Sequence, residues 1–260
     1  MKDMIDRVSR IARGAGRIQM ERRDESRSVE YKGDNDIVTD VDRLCEEYIV
    51  GELRKDFPGD EILAEEGGGT GGGAMRRWVI DPLDGTVNYA HGFPFFAVAV
   101  GLEEAGEPVL GVIYDPNRDE LFAAAKGAGA TLNGRRICVT DEAELGRSLL
   151  ATGFAYSARR ESGFDNLDHF ANFAKRARAV RRPGSACIDL AWLACGRIDG
   201  FWELYLKPWD MAAGVCIIRE AEGRVSSFDG GEFDLYGTEI LATNGRIHDE
   251  MMEVLKTRDP

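Results

Sequence analysis

Histidine, cysteine and positive charge are scarce in this chain, and each scarcity removes a class of function. The three histidines, His91, His169 and His248, stand far apart in 260 residues. They are too isolated for a histidine metal cage or for an imidazole that activates a neighbouring nucleophile. Five cysteines, at 45, 138, 187, 195 and 216, include no C-x-x-C pair. Odd in number in a long chain, they read as reduced core residues, not as a disulfide frame or a zinc site. Phe93, Phe95 and Phe96 likewise read as core and not as a stacking platform. Lysine and arginine number 33 against 46 aspartates and glutamates, a net charge of −13. Such a surface repels nucleic acid and anionic membrane, so neither is expected as a partner. The short basic runs Arg76-Arg77 and Arg181-Arg182 read as solvated faces or local anion contacts. There is no apolar run of the ~18 residues a membrane span needs. Met1 to Arg27 is charged throughout and lacks a signal-peptide core, so a cytoplasmic location is expected.

What is present is enough apolar residue, 43%, for one large core or two fused halves. Apolar periodicity predicts a helix over 1–27, with Met4, Val8, Ile11 and Ala12 on one face, and a second over Val41–Asp56 with Leu44, Tyr48 and Leu53 inward. Thr39 or Asp40 is placed to cap the second helix. Asp34-Asn35 reads as a turn, and Glu61–Ala64 as a short strand leading to Glu65. Gly67 to Gly73 satisfies G-x-G-x-x-G, but a dinucleotide loop must be followed by a helix, and Arg77–Ile80 has strand character; a mobile loop is expected instead. Residues 95–140 read as an antiparallel meander, with strands at 97–102, 109–114, 120–124 and 137–140. From about residue 145 helices and strands alternate. Two halves are therefore expected, 1–145 with α+β character and 146–260 with α/β character, packed tightly because no linker-like tract separates them.

The segment Trp78-Val79-Ile80-Asp81-Pro82-Leu83-Asp84-Gly85-Thr86 carries the chemistry. A short apolar run delivers two aspartates, three residues apart, to the expected end of a strand, where Pro82 stiffens the chain and Gly85 permits a tight turn. Carboxylates held that close repel each other unless a cation lies between them. Hard oxygen ligands suit Mg²⁺ or Mn²⁺, and the Gly85-Thr86 amides and hydroxyl suit a phosphate. Metal-assisted attack on a phosphate ester is the chemistry implied. Asp42, Glu65 and Asp210 also stand at element boundaries, where an acid serves equally well as a cap; Asp210 either caps the helix after Pro208 or aims at the same ions.

The chain resembles the inositol monophosphatases, a Mg²⁺-dependent, lithium-sensitive phosphatase superfamily, over nearly its whole length. The resemblance rests on Lys32-Gly33-Asp34-Asn35-Asp36-Ile37-Val38-Thr39-Asp40-Val41-Asp42, Ala64-Glu65-Glu66-Gly67, Asp81-Pro82-Leu83-Asp84-Gly85-Thr86-Val87-Asn88, Arg181-Arg182-Pro183-Gly184-Ser185-Ala186 and Lys207-Pro208-Trp209-Asp210-Met211-Ala212-Ala213-Gly214. It implies a layered α-β-α-β-α sandwich, usually dimeric. It assigns Glu65, Asp81, the Leu83 carbonyl, Asp84 and Asp210 to the metals, with Glu65 also helping to hold the water. It assigns Asp42 and Thr86 to water activation, Gly85 and Thr86 to the phosphate, and Gly184, Ser185, Ala186 and Glu203 to the substrate wall. The glycine loop after Glu66 is richer in glycine than the family pattern, which bears on the weakest metal site and not on the reaction class. The expected substrate is a small phosphorylated polyol, foremost myo-inositol 1-phosphate. Fructose 1,6-bisphosphate, histidinol phosphate and 3′-phosphoadenosine 5′-phosphate are the alternatives within the superfamily. A partner-binding module that keeps the fold is the alternative outside enzymology.

Overall fold

The computed structural model describes residues 1–23, 29–31, 37–67, 75–154 and 166–257. The expected turn at Asp34-Asn35, motif residues 32–36 and most of the glycine loop lie outside these. Helix α1 (Lys2–Arg22) buries Val8, Ile11, Ala12 and Ala15, an i, i+3, i+4, i+7 stripe that needs a partner surface. Strands β1 (Val29–Tyr31) and β2 (Ile37–Thr39) pair antiparallel. Helix α2 (Asp40–Asp56) has Thr39 as N-cap, and the Asp42 carboxylate accepts from the Thr39 backbone N–H at 2.8 Å, so one acid closes the first turn. Leu44 faces outward, 37% exposed, where an inward position was expected; Cys45, Ile49 and Leu53 take the buried stripe.

The first sheet has seven strands in the order β3-β4-β5-β6-β7-β8-β9. They are β3 (Glu61–Ala64), β4 (Arg76–Asp84), β5 (Ala97–Glu104), β6 (Glu107–Asp115), β7 (Glu120–Ala125), β8 (Gly129–Leu132) and β9 (Arg135–Arg136). Only the β3–β4 pair is parallel. The meander is as expected, except that Ile137–Thr140 forms no strand. The Asn133-Gly134 turn pairs its immediate flanks, Thr131 with Arg136 and Leu132 with Arg135. The chain then leaves the sheet, and Val139 donates its N–H to the Ala221 carbonyl instead.

Between β4 and β5 the short helix α3 (Thr86–Ala90) intervenes. The second half contributes β10 (Leu149–Thr152), α4 (Leu167–Arg176), β11 (Ala179–Arg181), α5 (Ala186–Ala194), β12 (Gly200–Leu204), α6 (Pro208–Glu220), β13 (Arg224–Ser226), β14 (Glu239–Thr243) and α7 (His248–Lys256). Its five-stranded sheet has the order β11-β10-β12-β14-β13. The first three strands run parallel and the last two antiparallel to their neighbours.

Side-chain alternation fixes the layers. Trp78, Ile80, Val98, Val100 and Val112 point from the first sheet to α1 and α2. Val79, Ala97, Ala99 and Ile113 point the other way, into a core shared with α5 and α6. From the second sheet Phe201, Ile240 and Ala242 enter that same central core, while Trp202, Leu204 and Leu241 pack outward with Phe173 of α4 and Met251 of α7. The result is a helix–sheet–helix–sheet–helix stack. The central helices lie very close to the first sheet: a Cβ at Gly111 would stand 2.2 Å from the Ala213 carbonyl oxygen. The layers thus bring the end of β4, the N-termini of α5 and α6 and the end of β12 to one place.

Candidate active site

Strand β4 does not break at Asp81, as the sequence suggested, but continues to Asp84 through a bulge. Asp81 pairs with Ala99 and Asp84 with Ala97, so the register shifts between them. The proline is tolerated because β3 has already ended: its last partner, Ala64, faces Ile80. Pro82 therefore meets no ladder donor requirement on that side. Its carbonyl accepts from the buried Gln19 side chain of α1 at 2.8 Å, which fixes the bulge from behind. The bulge brings Asp81, 2% exposed, and Asp84, 9% exposed, onto the same wall; two residues three apart in a regular strand would face opposite ways.

Each acid is held by its neighbours. Asp81 accepts from the Leu83 N–H at 3.0 Å. Asp84 accepts from the Ser185 hydroxyl at 2.5 Å and the Cys187 N–H at 2.7 Å, so the first turn of α5 grips it. Asp210, in the first turn of α6, accepts from the Lys207 N–H at 2.7 Å. It is a cap and still faces the other acids. Burial pushes its carboxyl up to about 7, with the Asp84 charge adding to the effect. Burial raises Asp81 well above the carboxylate range, and the charges of Glu65, Asp84 and Asp210 raise it further. Burial also raises Asp84, against the bonds from Ser185 and Cys187.

Asp42 and Thr86 meet across 44 positions of sequence. The Thr86 hydroxyl lies 2.9 Å from Asp42 Oδ1 and 3.0 Å from the Leu83 carbonyl. Asp42 is 1% exposed and lies behind Thr86, not on the cavity wall. Burial pushes its carboxyl up to about 6, against bonds from Thr39 and Thr86. Gly85 has φ +91°, and a Cβ there would stand 2.9 Å from the Phe95 carbonyl oxygen, so the turn that starts α3 needs glycine.

A cavity of about 400 Å³ joins these groups, lined by Glu65, Asp81, Leu83, Asp84, Gly85 and Thr86 from the first half and by Gly184, Ser185, Ala186, Glu203 and Asp210 from the second. Of the site residues expected from sequence, only Asp42 is not on its surface. The Asn88 side chain ties α3 to the segment before α5, donating to the carbonyls of Phe95 at 2.7 Å, Pro183 at 3.0 Å and Gly184 at 3.2 Å. Glu203, 5% exposed, rests against Gly153, where a Cβ would meet its carboxylate at 2.3 Å.

Sequence reasoning missed Asp189, Cys187 and Thr152; Arg182, read as a solvated face or a local anion contact, is exposed and lines the cavity. The signal for Asp189 was a lone acid in the apolar run Ala186-Cys187-Ile188-Asp189-Leu190-Ala191. Cys187 gave no signal, since its place beside Asp84 depends on the packing of α5. Two residues expected in the core, Phe93 and Cys138, are exposed; Phe95 and Phe96 are buried, and all five cysteines are free.

The donor set fits a hard divalent cation. Asp81, Asp84 and Cys187 each place a ligand atom within 4.8 Å of the others, and a cation between the two carboxylates would neutralise charges that otherwise oppose burial. Burial and the three neighbouring aspartates hold the Cys187 thiol well above the usual thiol range. It stays protonated, donating toward the Asp210 carbonyl at 3.3 Å, and is a poor ligand for such an ion.

Fold, relatives and an acidic group that could hold a metal define a phosphoric monoester hydrolase of a metal-dependent family. The inositol monophosphatase family model matches residues 1–258, and the chain belongs to that family. It is 48% identical to the inositol-1-monophosphatase of Synechocystis sp. over 221 residues, covering 85% of this chain and 77% of the relative. It is 42% identical to the Nus factor SuhB of Pseudomonas aeruginosa, covering 100% of this chain and 98% of the relative. The inositol monophosphatase structure from Anabaena (Nostoc) sp. superposes with a TM-score of 0.90 at 42% identity, covering 98% of this chain and 95% of that one. Among the described residues no helix is long and apolar enough to cross a membrane.

Proposed function

We propose that the protein hydrolyses a small polyol phosphate, most simply myo-inositol 1-phosphate, with Mg²⁺ as its metal and Mn²⁺ as a substitute. The observation that carries this reading is the convergence of Asp81, Asp84, Asp210 and Glu203 on one cavity, beside the Thr86 hydroxyl backed by Asp42. Glu65, Asp81, the Leu83 carbonyl, Asp84 and Asp210 would hold the metals. When bound, divalent cations supply a lowered pKa for water and offset charge on the phosphoryl and leaving oxygens.

The protein's own residues do the rest. The Thr86 hydroxyl orients the attacking water, and Asp42 Oδ1 takes up the Thr86 proton as Thr86 Oγ1 accepts one from the water. The two Thr39 donors, N–H and O–H, hold Asp42 in place for this. The Gly85 and Thr86 amides orient the phosphate, while Gly184, Ser185 and Ala186 form the opposite wall. Glu203 accepts from substrate hydroxyls, which favours a polyol over a nucleotide. No Ser, Cys or His nucleophile is needed for direct attack by water.

Two halves, 1–145 with most of the metal ligands and 146–260 with Asp210 and the substrate wall, would meet at this seam. The unpaired thiols are in keeping with a reducing, cytoplasmic setting. A homodimer is proposed from the family resemblance, and light scattering on the purified protein tests it.

The test of the activity is phosphate release from myo-inositol 1-phosphate, fructose 1,6-bisphosphate, histidinol phosphate and 3′-phosphoadenosine 5′-phosphate, each with Mg²⁺ and with EDTA. Mg²⁺-dependent release from the inositol ester is expected; release from another alone would move the substrate assignment. A second reading, a partner-binding role, is favoured by the full-length similarity to a protein named Nus factor. A stable complex that survives Asp84→Asn would support it.

A further inference from the structure

We propose that Asp189 reads substrate hydroxyls together with Glu203, so that two acids on the second-half wall, not one, select a polyol. This rests on the polyol-phosphatase reading above. Asp189 is the fourth residue of α5 and the one charged residue in that helix. It is 2% exposed yet lines the cavity.

Its environment is not that of a structural acid. The N-cap of α5 is already supplied by Ser185, whose side chain accepts from the Ile188 N–H. Asp84 already takes the Cys187 N–H. Asp189 Oδ1 is closed to solvent and has no hydrogen-bond partner, and among the described residues no ion pair reaches its carboxylate. A buried acid left in that state opposes folding, so a structural role does not account for it. Rotation about χ2, which is soft for a carboxyl group, exchanges its two oxygens and brings either one to the cavity.

The neighbours define what the site accepts. Glu203 and then Asp84 oppose ionisation of Asp189 beyond the effect of burial, and Arg182 partly offsets this; Glu203 is likewise raised by burial and eased by Arg182. A phosphate or carboxylate would be repelled between two acids, and a hydrocarbon would leave their oxygens unpaired. A hydroxyl both donates and accepts, so it satisfies each acid whether or not that acid holds a proton. Two such acids match a ring or chain that presents neighbouring hydroxyls.

The experiment compares the wild type with Asp189→Leu, similar in size but with no polar atom, on myo-inositol 1-phosphate and on phenyl phosphate, which has no hydroxyl to read. Thermal unfolding verifies that the variant is folded, with unchanged or raised Tm because an unpaired acid is gone. The expected result is a rise in KM for the inositol ester of about 10–100-fold, the size of leaving a buried substrate hydroxyl without its partner, with phenyl phosphate kinetics unchanged. Asp189→Asn, which keeps the shape and one acceptor, should give a smaller rise and replaces the leucine variant should that not fold. An unchanged KM for the inositol ester, or equal losses on both substrates, would overturn the assignment. Wild-type turnover of phenyl phosphate with none of the inositol ester would instead overturn the polyol reading on which it rests.

Discussion

Asp84→Asn separates what the acid cluster does for catalysis from what it costs the fold. The Asp81 and Asp84 ligand atoms lie within 4.8 Å of each other, and Asp210 adds its charge to both. Two like charges about 5 Å apart at an effective dielectric of about 20 repel by ~3 kcal/mol. In metal-free protein the cluster relieves part of this by holding protons, so the substitution should recover about 1–3 kcal/mol. Asparagine keeps an acceptor for the Ser185 and Cys187 donors that now bind Asp84. In EDTA the variant should therefore unfold at a higher temperature than the wild type, by about 2–4 °C for each kcal/mol. In Mg²⁺ the order should reverse, because ligand binding stabilises only a site that still binds. Turnover should fall by at least ~100-fold, the scale on which a lost metal or charge-stabilising group acts. Scanning fluorimetry with and without Mg²⁺, read beside phosphate release, tests both parts. Near wild-type turnover, or a Mg²⁺ shift in Tm equal to that of the wild type, would refute the reasoning.

Three other outcomes follow from the same geometry. Thr86→Val removes the hydroxyl that joins Asp42 to the cavity, so kcat should drop by about 10²–10⁴-fold with a stability change of only ~1 kcal/mol; unaltered kcat would exclude the proton path through Thr86. Gly111→Ala would bring a Cβ within 2.2 Å of the Ala213 carbonyl oxygen, a backbone atom that cannot rotate away, so a loss of at least ~1–3 kcal/mol is expected in urea unfolding. His248 is fully buried between Ser226 and Thr243, and burial, then the Arg224 charge, lowers its pKa to about 4. The folded state thus keeps the neutral ring while the unfolded chain takes up a proton below pH ~6.5, and stability is lost as pH falls from there toward 4, by ~3 kcal/mol in all. Buried carboxyls with raised pKa act in the opposite direction. The measured quantity is therefore the difference in pH slope between wild type and His248→Gln; identical slopes would contradict it.

Much of the site was legible in the linear chain because its chemistry is local. Asp81, Asp84, Gly85 and Thr86 occupy one turn and its approach, and Thr39 with Asp42 forms a cap whose signature spans four residues. Apolar alternation gave the meander, and the alternating elements after residue 145 gave the layered class, since both depend on short periods that neighbouring residues set.

Long-range packing decided the rest. The sequence shows a proline after Asp81 and implies a break. The fold turns it into a bulge, because β3 stops at Ala64 and Gln19 of α1 holds the Pro82 carbonyl. Leu44 and Phe93 look like core and lie outside, since the buried stripe of α2 passes through Cys45 and the Pro94 turn carries Phe93 away while Phe95 and Phe96 enter opposite cores. Ile137–Thr140 reads as a strand and is none, for its backbone partner is Ala221 on a different layer. Asp42 reads as a candidate base and is one step removed from the cavity. Asp189 reads as an anomaly in an apolar helix, and becomes part of a wall only when α5 packs against β12. The sequence by itself determined which groups could do phosphate chemistry and which local elements would carry them. Only the tertiary structure decided which of those groups share a cavity, because that depends on contacts between residues some hundred positions apart.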